Sequence, residues 1–464
     1  MTEDTAGASP ARARGYRDLS LELRNLDPAT DTFEVTLLPS VEFGEPPVQR
    51  ARLDASELAD DLDDLEDKRI DLESLIRLGQ RLTDRLLPDG PIRAHLVDAV
   101  RSAGQDDGVR LRLLTREPRL AQLPWEYCYL PIRAGQPGRT HFLILDPQVS
   151  LARHVPLDQP QPPLTPRDRD DLTLVVAFAN PAGMAELTLR RERRAIESAL
   201  AGASAAGVQV TLETFLDEAT PEDLTIALQR KADLFHFAGH GGFLPDDIGA
   251  GCIVLVRDAV TRRPAYFGAA DLALRLQGAG VRLAVLGACE SGRHGQDLPW
   301  DGVAPALIGR GLPAVVAMQY EIEDGAATAF SGGLYAALAA GLTIDEATYA
   351  GRLAVLGRSG ADDVEWGVPV LYLRAGDGVL FPRPPGRTSG VADQLRTIVR
   401  QNVALVRAGG SVTGIDVEHL DTSLEALAGA LGTVEIDQRA ETVEGEMTGI
   451  RIGQIGGTRR SPPS

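Results

Sequence analysis

Cysteine is scarce in this chain: its 464 residues hold three, Cys128, Cys252 and Cys289. Three scattered thiols are too few for a disulfide framework and lack the spacing of a Cys₂His₂ site, so no metal or other cofactor is expected, and the reducing cytoplasm suits the chain. Lysine is scarcer still, since Lys68 and Lys231 are the only two among 47 basic residues. That skew reads as the codon bias of a GC-rich genome before any chemistry. Positive charge as a whole is outweighed, with 47 Lys and Arg against 66 Asp and Glu and a formal net charge of −19. A protein that grips phosphate backbones needs a concentrated basic face, and no basic run occurs, so nucleic acid is excluded as a partner. Long apolar runs are missing too. None approaches the ~18 residues of a membrane span, and the first residues, Met1-Thr-Glu-Asp-Thr-Ala-Gly7, have no apolar core after a basic start. Neither membrane insertion nor secretion by a standard signal is expected.

What is present is 44% hydrophobic content against 24% charged, ample for large cores. The length suits about three domains. Residues 1–15 are small and polar and are expected to be disordered. Residues 16–154 read as an α+β domain. Ser20 to Leu38 suggests two strands around an Asn25-Leu-Asp-Pro-Ala-Thr30 turn, and Leu72, Leu75, Ile76, Leu82 and Leu86 recur at helical spacing with Gly79 on the same stripe. The acidic run Asp60 to Glu66 reads as a solvated helix face. Val109 to Leu114 alternates as a half-buried strand. In Leu123-Pro-Trp-Glu-Tyr-Cys-Tyr-Leu130, Trp125 reads as a packing anchor and Cys128 as a small buried hydrophobe.

Prolines crowd residues 155–170, fix φ and remove donors, so a linker is placed there. From 171 to 382 strands and helices alternate: a strand over Leu172–Phe178, a helix over Arg190–Ala201, a strand over Val208–Leu212, a helix from Pro221 to Lys231 capped near Thr220, and, further on, strands over Ala314–Met318 and Val368–Tyr372. This alternation predicts an α/β fold with a mostly parallel, doubly wound sheet flanked by helices. A second linker, 383–390, leads to 391–464. There a helix over Val391–Arg407 and an echo at an offset of 35, Gly410-Ser-Val-Thr-Gly-Ile-Asp-Val417 and Gly445-Glu-Met-Thr-Gly-Ile-Arg-Ile452, suggest a small β-rich accessory module.

Two stretches carry chemistry. Asp233-Leu-Phe-His-Phe-Ala-Gly-His240-Gly-Gly242 and Leu283-Ala-Val-Leu-Gly-Ala-Cys289-Glu-Ser-Gly292 are each an apolar run ending in small residues and one reactive side chain. Buried parallel strands deliver groups to their C-terminal edge in this way. A strand over Leu234–Ala238 would end at His240 and one over Arg282–Leu286 at Cys289, so that imidazole and thiol project into one crevice. The stretch Ile253 to Phe267 between them reads as a hairpin at the edge of the site, with Cys252 packed. After Cys289 a long loop is expected to hold Gly292, His294, Gly295, Asp297 and Asp301. Taken alone, Cys289 would read as one more buried thiol, and His236, inside the apolar run, as a satisfied core histidine. The joint pattern favours a dyad of His240 and Cys289.

Cys289 lies 49 residues after His240 and follows Ala288, close to a caspase-type spacing, although the Gln and the nearby Gly of the caspase signature are absent. With His236-Phe-Ala-Gly-His-Gly241, Ala314-Val-Val-Ala-Met-Gln-Tyr320 and Trp366-Gly-Val-Pro-Val-Leu-Tyr-Leu373, the chain from about 170 to 382 resembles the CHAT domain. This is the caspase-like bacterial peptidase module related to separase, and Pro124-Trp-Glu126 resembles the β-rich region that often precedes it. The resemblance implies His240 and Cys289 as catalytic dyad and the backbone N–H groups of Gly241 and Cys289 as oxyanion hole. In separases an acidic residue after the core strand helps to receive a basic P1 side chain. Glu321 and Asp324 match that position, Asp324 also standing where a helix cap is expected, while Glu290 and Asp301 are further candidates for pocket walls. The implied function is a cytoplasmic cysteine endopeptidase that cuts a protein partner encoded nearby, under an activating partner or sensor, in phage defence or programmed cell death. A non-catalytic caspase-like scaffold that binds a partner protein is the alternative.

Overall fold

Leu19, Leu21 and Leu23, at alternate positions of the strand Gly15–Asp27 (β1), all turn inward, and with them the chain begins an 11-stranded sheet. The computed structural model of the protein describes residues 14–38, 47–104, 106–133, 141–155, 164–166, 171–184, 186–187, 189–205, 210–244, 247–287, 299–339, 341–359, 364–374 and 376–382. The expected disordered start, the linker 383–390 and the accessory module 391–464 lie outside the described residues, residue 14 onward of the start excepted.

β1, β2 (Thr32–Leu37) and β3 (Val48–Arg52) form an antiparallel meander. Helices α1 (Ala55–Glu66), α2 (Leu72–Leu86) and α3 (Pro91–Ser102) follow. α2 starts where Asp71 accepts a hydrogen bond from the Ser74 N–H at 2.7 Å, and it buries Leu75, Leu78, Leu82 and Leu86, as its spacing predicts. β4 (Asp107–Thr115) lies parallel to β1, α4 (Pro118–Ala121) is a single turn, and β5 (Val149–His154) lies parallel to β4. β4 corrects the expectation of a half-buried strand. Arg110 is fully buried, because Asp345 Oδ1 and Oδ2 receive its Nε at 2.8 Å and its Nη2 at 2.6 Å. A charge can be buried when it is paired in this forked manner.

β6 (Leu172–Phe178) is apolar and buried at every position, the signature of a strand covered on both faces. α5 (Leu189–Ala205), β7 (Val210–Leu216), α6 (Pro221–Ala227) and β8 (Leu234–Ala238) continue the alternation. Thr220 caps α6 as expected, accepting from the Asp223 N–H at 3.1 Å, although the helix is shorter than its pattern suggested. A small three-stranded antiparallel sheet then branches off: β9 (His240–Leu244), β10 (Asp247–Val256) and β11 (Pro264–Gly268). α7 (Ala269–Ala279), which the sequence reading did not anticipate, returns the chain to β12 (Leu283–Gly287). α8 (Pro299–Gly309), β13 (Ala314–Met318), α9 (Asp324–Ala339), α10 (Ile344–Ser359) and β14 (Pro369–Leu373) complete the fold.

The large sheet runs β3-β2-β1-β4-β5-β14-β13-β12-β8-β6-β7. Its centre is parallel from β13 through β12, β8 and β6 to β7, with β14 antiparallel to β13, so the α/β, mostly parallel sheet expected from the alternation is the one observed. Strands from before and after the Pro-rich residues share this one sheet. Alternation along β8 and β12 gives the sheet two faces. Leu234, Ala238, Leu283 and Val285 pack into one core with α5, α9 and α10, and Phe235, Phe237, Ala284 and Leu286 into another with α6, α7 and α8.

Candidate active site

The order in which strands are added reverses between the parallel neighbours β6 and β8, since β7 lies beyond β6 on one side and β12 beyond β8 on the other. Open α/β sheets bind ligands outside the carboxyl ends of strands at such a point. β8 and β12 are parallel neighbours in register from Leu234 opposite Leu283 to Ala238 opposite Gly287. Their ends are tied beyond the ladder as well. The Gly239 N–H donates to the Gly287 carbonyl at 3.4 Å, and the Ala179 N–H to the Ala238 carbonyl at 3.1 Å.

Gly239 is the point where the chain leaves the large sheet. A Cβ there would lie 2.5 Å from the Phe237 ring and 3.0 Å from the Ala179 carbonyl oxygen, so only glycine passes. The strand therefore stops at Ala238, and His240 opens β9 instead of closing β8. It is buried opposite Val254, with Gly241 opposite Ile253 and Gly242 opposite Cys252. The expected hairpin is β10 and β11, and Cys252 on it is buried, its thiol pushed up to about 11 by that burial. Cys128 is buried as well, and burial pushes its thiol up further still. Neither is suited to act as a nucleophile at neutral pH. Cys289, Glu290 and His294 lie outside the described residues; Gly287, paired with Ala238, stands two positions before Cys289.

The acidic candidates fare differently. Asp301 lies in α8 and not in the loop assigned to it, because Pro299 at the head of that helix has a pre-set φ and an acidic residue is favoured in a first turn. Glu321 is exposed beyond β13, between buried Tyr320 and buried Ile322. Glu323 is engaged: Lys68 Nζ stands 4.0 Å and Arg358 Nη2 3.8 Å from its carboxylate, and its N–H donates to Glu365 Oε1 at 2.6 Å. α9 starts at Asp324.

Sequence reasoning missed two buried polar clusters near these strand ends. His236, a satisfied core histidine as expected, has Nδ1 2.7 Å from Tyr335 Oη and Nε2 2.9 Å from Glu192 Oε1. Its partners were not foreseen, because α5 and α9 are distant in sequence. In the second cluster Arg153 on β5 donates to Glu126 Oε1 at 3.2 Å and Oε2 at 2.8 Å, and to Gln319 Oε1 at 3.0 Å just beyond β13. Trp125 beside Glu126 is the packing anchor expected, its indole N–H donating to the Leu120 carbonyl at 2.8 Å. A carboxylate in the otherwise apolar run Leu123–Leu130 was the available signal, since such a group is buried only when paired.

Comparison with known proteins now decides the family. The CHAT domain matches residues 77–377. The chain belongs to the CHAT domain family. The match begins within residues that the sequence reading assigned to a preceding domain. Among solved structures the chain is similar to the Arg-specific cysteine proteinase gingipain R, with 13% identity over 71% of this chain and 76% of that one at a TM-score of 0.41. It is also similar to the complex of pro- and mature domains of Porphyromonas gingivalis RgpB, with 10% identity, 70% and 78% coverage and a TM-score of 0.38. The Saccharomyces cerevisiae separase–securin complex aligns with 12% identity over 76% of this chain at a TM-score of 0.41, but the alignment spans only 30% of that chain. No curated protein matches. Among the described residues no group of His, Cys, Asp and Glu is placed to hold a metal ion, and no helix is long and apolar enough to cross a membrane.

Proposed function

We propose that this CHAT protein is a cysteine endopeptidase whose His240 and Cys289 act as a dyad on a protein partner. The observation that carries the reading is the pairing of Ala238 with Gly287 at the adjoining ends of two parallel strands, His240 and Cys289 each following two positions later. In the reaction the Cys289 thiolate attacks the scissile carbonyl carbon, and the carbonyl electron pair moves onto an oxyanion. The N–H groups of Gly241 and Cys289 stabilise that oxyanion. Collapse expels the amine, protonated by the His240 imidazolium, and leaves a thioester that water hydrolyses with His240 as base.

Exposed Glu321 supports a preference for Arg or Lys at P1, with Asp324, Glu290 and Asp301 as further pocket walls. The setting is a regulated bacterial defence or cell-death pathway in the cytoplasm. The substrate is encoded nearby, and residues 391–464 receive an activating partner or signal. Co-expression with the products of neighbouring genes tests the reading. Cleavage of a partner should fall by at least ~10³-fold in Cys289→Ala, in His240→Ala and in the double variant alike, because residues acting as a unit are not additive. Retained cleavage in Cys289→Ala refutes the dyad. Partner binding without any cleavage by the wild type would favour the scaffold alternative.

A further inference from the structure

The face of the sheet covered by α5 and α9 contains a line of short polar contacts directly beneath the ends of β8 and β12. His236 stands opposite Val176 on β6 and Val285 on β12, so its flanks within the sheet are apolar. Its ring bridges two helices: Nδ1 lies 2.7 Å from Tyr335 Oη on α9 and Nε2 2.9 Å from Glu192 Oε1 on α5. A neutral imidazole satisfies both contacts when Tyr335 donates to Nδ1 and Nε2–H donates to Glu192. Glu192, His236 and Tyr335 are all buried. The same Glu192 oxygen would stand 3.0 Å from a Cβ placed on Gly287, and His236 Nε2 3.6 Å from it. The carboxylate thus rests against the last residue of β12.

Packing alone does not call for this arrangement. The β8–β12 ladder already pairs five consecutive positions, and buried polar groups of this kind are often replaced by apolar ones without loss of stability. The cluster locks four elements at one height: α5 and α9 through their side chains, β8 through His236, and the end of β12 through contact with Gly287.

We propose that Glu192, His236 and Tyr335 are positioning residues, which fix where the chain leaves β12 at Gly287 and thereby the placement of the Cys289 thiol relative to the His240 imidazole. The proposal rests on the dyad reading. Displacing a reacting group by ~1 Å costs about 10²-fold, so a small shift of Gly287 is enough to matter.

The test uses the full chain and the variants Glu192→Gln, Tyr335→Phe, Gly287→Ala and Cys289→Ala. Iodoacetamide labelling at Cys289 is followed by mass spectrometry between pH 6.5 and 9, the buried thiols of Cys128 and Cys252 serving as slow internal references. For a peptide that the wild type cleaves, kcat and KM are measured separately. Glu192→Gln, Tyr335→Phe and Gly287→Ala should each slow labelling at pH 7 by roughly 10- to 100-fold, with the gap narrowing toward pH 9, where thiolate forms without help from an imidazole. kcat should fall with KM unchanged. Folded variants that label and turn over like the wild type overturn the proposal. Should Glu192→Gln fail to fold, Gly287→Ala, which presses one methyl group against the same carboxylate, decides by the same criterion. Cleavage that survives Cys289→Ala sinks the dyad reading itself, a result distinct from an active dyad insensitive to residues 192, 287 and 335.

Discussion

β8 with β12 and β5 with β14 are both neighbouring pairs in one sheet, yet they are joined by different means. The first pair is a backbone ladder of five consecutive register positions flanked by apolar side chains, with His236 as its polar exception. The second has a single registered position, Tyr372 opposite Arg153, and relies on side chains. Around it Arg153 reaches Glu126 and Gln319, Arg110 forks onto Asp345, Ser150 Oγ donates to Asp345 at 2.6 Å, and Tyr127 Oη donates to the Val364 carbonyl at 2.7 Å. Here side-chain hydrogen bonds and ion pairs tie β4, β5 and the residues before them to α10, to Gln319 beyond β13 and to the segment leading into β14, in place of a continuous backbone ladder. Removing one partner of a buried pair leaves the other unpaired, whereas a ladder loses little when any one side chain is trimmed. The seam at β5 and β14 should therefore govern stability, and the seam at β8 and β12 chemistry.

The sharpest way to break this contrast is Asp345→Ala, which takes the fork from the buried Arg110 guanidinium and leaves it only Asp18 Oδ1 at 2.9 Å and the Gly376 carbonyl at 2.7 Å on Nη1. It should cost about 3–5 kcal/mol of unfolding free energy by urea titration. Arg110→Met combined with Asp345→Leu should recover most of that loss, because no charge is then left buried. A double variant as unstable as the single one would show that the seam depends on something other than this pair. Cys289→Ala, by contrast, should leave the urea midpoint within experimental error of the wild type.

This division explains what could be read in advance. β6, β8 and β13 were legible because buried parallel strands advertise themselves as uninterrupted apolar runs that end in small residues. The side-chain seam was hidden. Arg110 sits in a strand that alternates convincingly, and Glu126 and Arg153 are two among many charges whose partners lie far along the chain. Asp301 was misplaced because a Pro-headed helix starts within what reads as loop. Glu192 and Tyr335 gave no local signal at all; only the fold brings α5 and α9 to the same histidine.

Between the two seams, β13 ends in a segment that feels both. Gln319 is held in the side-chain seam, its Nε2 donating to the Gln122 carbonyl at 2.6 Å, while Glu321 two residues on is exposed. Glu323 stands near Lys68 and Arg358 and is partly answered by their charge. If P1 is basic, Glu321→Gln should lower kcat/KM for peptides with Arg at P1 by about 10- to 100-fold, the worth of one charge-assisted hydrogen bond. Glu323→Gln should change it by a factor of about 2 or less, as expected for an exposed and screened pair. Library profiling checks both. A wild-type preference for Asp or for an apolar P1 would remove Glu321 from the pocket.

The smallest effect concerns pH and again separates the seams. His154 closes β5, with Nδ1 3.2 Å from the Leu373 carbonyl oxygen on β14 and 2.9 Å from Arg112 Nη2. Burial, and then the Arg112 charge, hold its imidazole below the ordinary histidine value; the Leu373 backbone hydrogen bond and then Asp18 oppose the shift, and Arg374 adds to it. An unfolded chain takes up the proton near pH ~6.5, while the folded chain resists until a lower pH. The stabilising contribution of neutral His154 is therefore fully present above the unfolded value of ~6.5 and is lost as pH falls through the folded value. His154→Gln removes the titrating group, so the wild type should lose more stability than the variant between pH 7.5 and 5.5. Urea midpoints of the two proteins at both pH values provide the comparison. Equal losses would mean that acid acts elsewhere in the sheet, whereas a larger loss in the wild type, with no change in the pH profile of Cys289 labelling, would locate the acid-sensitive joint in the β5–β14 seam and leave the β8–β12 seam untouched.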